Sequence, residues 1–158
     1  MQKNQLYLLG LATLVGFPVA GQLVLWLFED NNSSFGFSVI APIWQQLGIG
    51  LLAGAVAGGV AYGIIQLPFM KPVKSKYAGL LGSLQLSWPD ILFISLCAGI
   101  GEEYFFRGVL QYYWGIWPTA LVFVAIHGYL DPRDWRISIY GSVMVLMIAG
   151  LGYINNHI

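Results

Sequence analysis

Glu102, Glu103 and Arg107 stand within six residues of one another in a run, Ile91 to Trp114, that carries no other charge. Each charge at the centre of a bilayer costs roughly 2.5 to 3.5 kcal/mol on an insertion scale, so three together call for a structural or a catalytic use. At about 100° per residue, Glu103 and Arg107 lie about 40° apart on a helix, while Glu102 lies about 140° from Arg107. The spacing therefore pairs Glu103 with Arg107 and sets Glu102 apart. One reading is a buried ion pair with a second glutamate bonded to backbone. The other makes Glu102 a carboxylate for general acid or base work.

His127 is the one histidine inside an apolar run, with Phe123 four residues earlier on the same helical face. A lone histidine among apolar residues is commonly structural. A glutamate on one helix and a histidine on the next, in a nearly chargeless chain, could instead hold a metal or activate a water molecule. Ser95 and Cys97 sit in no nucleophile-elbow pattern, and the H-E-x-x-H signature of zinc proteases is absent.

The elements that must position these residues are set by composition. Of 158 residues 58% are hydrophobic and 9% charged, with mean hydropathy +0.71, against about a quarter charged in a soluble domain. Seven basic residues balance seven acidic ones, so no basic field exists to hold a nucleic acid. The single cysteine excludes an internal disulfide and the cysteine sets of structural zinc sites.

Leu6 to Phe28 is uncharged and long enough to cross a ~30 Å hydrocarbon core; no small-residue cleavage pattern follows it, and Glu29 to Ser34 reads as a polar loop. Ile43 to Phe69 is a second uncharged run, and its Gly48, Gly50, Gly54, Gly58 and Gly59 read as a surface for close helix approach. Pro68 and Pro72 end it. Lys71, Lys74 and Lys76 follow and, with Lys3, place the amino terminus on the cytoplasmic side. Tyr77 to Trp88 reads as a mildly amphipathic connector in the interface. The run from Ile91 to Trp114 starts after Ser87-Trp88-Pro89, Pro118 to Leu130 is a shorter apolar segment, and Ile137 to Ile154 is the last.

Glu102-Glu103-Tyr104-Phe105-Phe106-Arg107 followed by Phe123-Val124-Ala125-Ile126-His127 resembles the motifs E-E-x-x-x-R and F-x-x-x-H of the CAAX protease and bacteriocin-processing (Abi) family, intramembrane proteases usually classed as metalloendopeptidases. The resemblance runs from about Ile91 to His127, with a softer similarity through Ile154. It implies that Glu102 is the catalytic carboxylate, that Glu103 and Arg107 support the site, that Phe123 shapes it, and that His127 binds metal or water. The family's third motif, a histidine followed four residues later by Asn or Asp, is not met at His157. Glu102 and His127 are then the two candidate metal ligands, short of the three that catalytic zinc takes, so a zinc cofactor is left open.

The expectation is an all-α polytopic transmembrane bundle of about five hydrophobic segments, lacking the family's last helices. Residues 1–158 would form a single integral-membrane domain, with 91–158 a partial CAAX-protease-like core. Its function would be that of an intramembrane metalloendopeptidase of the CAAX prenyl protease type, acting on membrane-associated or prenylated peptides or proteins with a Glu/His-activated water, in contact with membrane lipid. The alternative is a non-catalytic membrane protein of the same fold, serving immunity, scaffolding or partner binding.

Overall fold

A computed structural model describes residues 3–28 and 41–157, and the polar loop expected from Glu29 to Ser34 lies outside the described residues. The helices are α1 (Lys3–Phe28), α2 (Ile43–Ile65), α3 (Lys71–Gly82), α4 (Trp88–Phe105), α5 (Gln111–Trp114), α6 (Ile116–Ile126) and α7 (Trp135–Asn155). A short 3-10 turn, Pro68–Met70, precedes α3, and a π-helical segment, Phe106–Leu110, joins α4 to α5. There is no strand among the described residues. The fold is all-α, and α1, α2 and α7 are each long and apolar enough to cross a membrane.

Boundaries follow local chemistry. The second apolar run ends as a helix at Ile65, short of the expected Phe69, because Leu67 precedes Pro68 and takes an extended conformation (φ −62°, ψ 146°). Helix α4 opens where Ser87 and Asp90 lock together: the Ser87 amide and hydroxyl each donate to Asp90 Oδ2 at 2.7 Å. Helix α6 is bracketed by Gly115 (φ +77°) and Gly128 (φ +75°), both in the left-handed region that favours glycine. At the start of α7, Asp134 accepts from the Arg136 amide at 3.0 Å.

The chain forms two compact units. In the first, α1 and α4 run parallel and meet at intervals of three and four residues, the seam of a supercoiled pair. Tyr7 packs on Phe93, ring centroids 5.1 Å apart, and Phe17 packs on Phe105 and Phe106 at 5.4 and 5.6 Å. Between these layers Gly101 rides directly on the α1 backbone, where any Cβ would overlap the Thr13 carbonyl oxygen. Gly21 in turn leaves room for Tyr104 and Val109. In the second unit, α6 and α7 bury Ala120, Val124, Val145 and Ala149 between them. Gly141 lets α7 abut the Tyr129 carbonyl.

The glycines of α2 correct an expectation. Among the described residues, a Cβ on Gly48, Gly50, Gly54, Gly58 or Gly59 would meet nothing within 4 Å, and α2 buries none of its residues. Close approach occurs instead at Gly101 and Gly141. Glycine content marks where helices can touch, and burial decides where they do.

Candidate functional site

The carboxylates sit on the last turn of α4, one residue beyond the Gly101 contact with α1. That contact fixes the rotation of the helix: Gly101 points into α1, and Glu102 and Glu103 turn about 100° and 200° away from it. Glu102 is half-buried, and the Glu103 side chain is 51% exposed. Arg107 lies in the π segment with its side chain only 1% exposed, and its Nη2 stands 3.5 Å from Glu103 Oε1. The pairing read from the i,i+4 spacing is present as a loose contact between a buried guanidinium and a half-exposed carboxylate. Gln111, one further turn on, is also buried.

Phe123 and His127 belong to the second unit. The sequence puts His127 inside an apolar segment; the structure puts it at the carboxyl-terminal cap of α6, exposed, with Gly128 turning the chain away immediately after it. Its ring stacks on Phe123 at 4.4 Å between centroids and faces Tyr129 at 6.2 Å. Nδ1 lies 2.6 Å from the Phe123 carbonyl oxygen. A carbonyl can only accept, so Nδ1 carries the hydrogen and Nε2 of the neutral ring holds the lone pair. His157, exposed at the end of α7, makes the same bond to the Tyr153 carbonyl at 2.7 Å, so this bond orients a ring without by itself marking a site.

Thus the structure brings Glu103 to Arg107 in one unit and Phe123 to His127 in the other. Among the described residues no three His, Cys, Asp or Glu side chains gather where they could hold a metal ion. Glu102 and His127 supply two donors, and catalytic zinc takes three from the protein.

The sequence reading singled out Glu102, Glu103 and Arg107 among the charges and passed over Asp90. Its side chain is only 5% exposed and receives the Lys3 ammonium at 2.5 Å, the Tyr7 hydroxyl, and the amide and hydroxyl of Ser87. These hydrogen bonds, from Lys3 first and then from Tyr7 and Ser87, hold the carboxyl well below the usual carboxylate range. The signal was available as Ser87-x-x-Asp90, the spacing of a capping box with an acid at the third helical position.

Residues 84–157 match the family model described as type II CAAX prenyl endopeptidase, Rce1-like. This is a CAAX-endopeptidase-like segment. It contains Glu102, Glu103, Arg107, Phe123 and His127, and it bears out the resemblance carried by the two motifs. The chain is also 46% identical over 41 residues to the uncharacterized protein YpbD of Bacillus subtilis (strain 168), a stretch covering 26% of this chain and 22% of that protein. The chain therefore spans about a fifth of that relative's length in the match. No solved structure matches. With its three long apolar helices, a chain carrying the CAAX-endopeptidase-like segment is a membrane protein.

Proposed function

We propose that the protein is an intramembrane endopeptidase of the CAAX type, hydrolysing peptide bonds of membrane-associated substrates. The match of residues 84–157, which spans both halves of the Glu/His constellation, carries this reading. Glu102 is the general base: its carboxylate takes a proton from water as the water oxygen bonds to the scissile carbonyl carbon. The same proton then passes to the leaving amine nitrogen as the C–N bond breaks. His127 Nε2–H or Nε2 orients the water or the developing oxyanion, according to the ring's charge. Glu103 and Arg107 hold the end of α4 in place. Prenylated peptides are the first substrates to test, because the matched family is named for them.

The experiment is hydrolysis of a prenylated peptide by the full chain in liposomes, comparing wild type with Glu102→Gln. Loss of roughly 10² to 10⁴ in rate with an unchanged melting temperature is expected for a lost general base. Equal rates would refute the mechanism. The second reading is a non-catalytic membrane protein of this fold. In that case neither wild type nor variant cleaves, and both retain the fold.

A further inference from the structure

We propose that Tyr129 is a positioning residue for His127: its ring, held from α7, keeps the imidazole in the orientation in which Nδ1 bonds the Phe123 carbonyl and the reaction falls to Nε2. The catalytic consequence rests on the protease reading, whereas the ordering of the ring stands without it. Tyr129 lies outside both motifs, two residues past His127. Phe123, His127, Tyr129 and Tyr140 all belong to the second unit.

A histidine on the exposed cap of a helix has rotamer freedom to lose. The turn after His127 restricts it. The Gly128 amide donates to the Ala125 carbonyl at 2.9 Å, and the Tyr129 amide reaches back to the Val124 carbonyl at 3.2 Å. With Gly128 at φ +75°, this pair of bonds is a Schellman turn, which folds the residue after the glycine back over the helix end. The residue folded back is Tyr129. Its ring lies at 11° to the imidazole with centroids 6.2 Å apart, within the roughly 4.5–7 Å at which aromatic rings pair. Phe123, one turn earlier on α6, packs on the same imidazole at 4.4 Å and 29°. The Nδ1–H bond to the Phe123 carbonyl at 2.6 Å sets which edge of the imidazole faces the helix, and the two rings resist tilting of its plane.

Tyr129 can hold a neighbour because it is itself held. A Cβ on Gly141 would stand 2.0 Å from the Tyr129 carbonyl oxygen, so the α7 backbone abuts the Tyr129 main chain. Tyr140, the residue before that glycine, meets the Tyr129 ring edge-on at 5.3 Å and 70°. The half-buried Tyr129 also packs on the core that α6 and α7 share. Ser138 Oγ donates to the Asp131 carbonyl at 2.6 Å and ties the following loop to the same helix. His157 is the contrast within one molecule: its Nδ1 bonds the carbonyl four residues back, as His127 does, but among the described residues no ring packs on it.

The test pairs a spectroscopic readout with a kinetic one. In the full chain in nanodiscs, labelled with 15N at histidine and held at about pH 8.5, where imidazole is neutral, His127 should show one ring form with the hydrogen on Nδ1. His157 should show an average of the two ring forms. Tyr129→Leu should move His127 to the averaged pattern, and Tyr129→Phe, which keeps the ring, should restore the single form. In hydrolysis of the prenylated peptide, Tyr129→Leu should lose roughly 10- to 100-fold in kcat with KM unchanged, as expected for a misplaced catalytic group. Tyr129→Phe should recover the rate. An averaged His127 in wild type overturns the proposal, and needs no variant to fold. So does a His127 pattern or a kcat unaltered in Tyr129→Leu, or a Tyr129→Phe as slow as Tyr129→Leu, which would assign the role to the hydroxyl. If wild type cleaves nothing, the protease reading fails, and the spectra still decide whether Tyr129 orders the ring.

Discussion

The two ends of α4 hold carboxylates in opposite ways. At its start Asp90 accepts from Lys3, Tyr7 and both donors of Ser87, across the seam to α1 and within its own cap. At its end Glu103 meets Arg107 at 3.5 Å with half its side chain exposed, and Glu102 is half-buried beside it. A carboxylate with four donors around it is a fastening: Lys3 and Tyr7 tie it to α1, and Ser87 ties it to the start of its own helix. The end of α4 that carries the matched motif is the more exposed of the two.

The strongest way to break this comparison is to cut α4 loose between its two ends. Gly101→Val drives a Cβ into the Thr13 carbonyl, and backbone there cannot yield as a flexible side chain would. We expect about 3 kcal/mol of lost stability or no folded protein, read by thermal unfolding in detergent. Next, Asp90→Asn should cost roughly 1–3 kcal/mol by removing the charge that Lys3 and Tyr7 address, while leaving hydrolysis per folded molecule unchanged. A fall in rate at constant stability would show that the fastening also reaches the chemistry.

Acid separates the two ends further. The folded Asp90 carboxyl titrates below its unfolded value of about 3.9, so its stabilisation is fully present above that pH and fades as pH drops below it. Melting temperature should hold level from neutral pH to about pH 5 and then decline, and Asp90→Asn should flatten the decline. The smallest effect belongs to Gly54→Ala in α2. A methyl there meets nothing, and alanine is the better helix former, so stability should be unchanged or raised by up to about 1 kcal/mol. A clear loss of stability would mean that α2 has a close neighbour after all.

Hydropathy made the five apolar segments legible, and the i,i+4 rule made the Glu103–Arg107 pair legible, because both depend on short stretches of sequence. What escaped depends on facing. Asp90 drew no notice, since nothing local announces that Lys3 and Tyr7 arrive from α1. The glycines of α2 and Gly101 look alike in sequence, and only the packing of a second helix tells them apart. His127 read as part of an apolar run because Ile126 and Tyr129 surround it, whereas the left-handed Gly128 ends the helix at that point.

The π segment adds a matter of phase. Up to Tyr104, α4 meets α1 at positions 90, 93, 97, 101 and 104, in steps of three and four residues. From Tyr104 the next contact of Gly21 is Val109, five residues on, and Tyr113 follows against Phe28 at 6.1 Å. Phe106–Leu110 thus behaves as one surplus residue spliced into a helix, a leap day that lets the calendar of contacts resume on time. Arg107 falls inside that splice, so the residue that answers Glu103 is placed by a different rhythm from the one that sets the glutamates themselves.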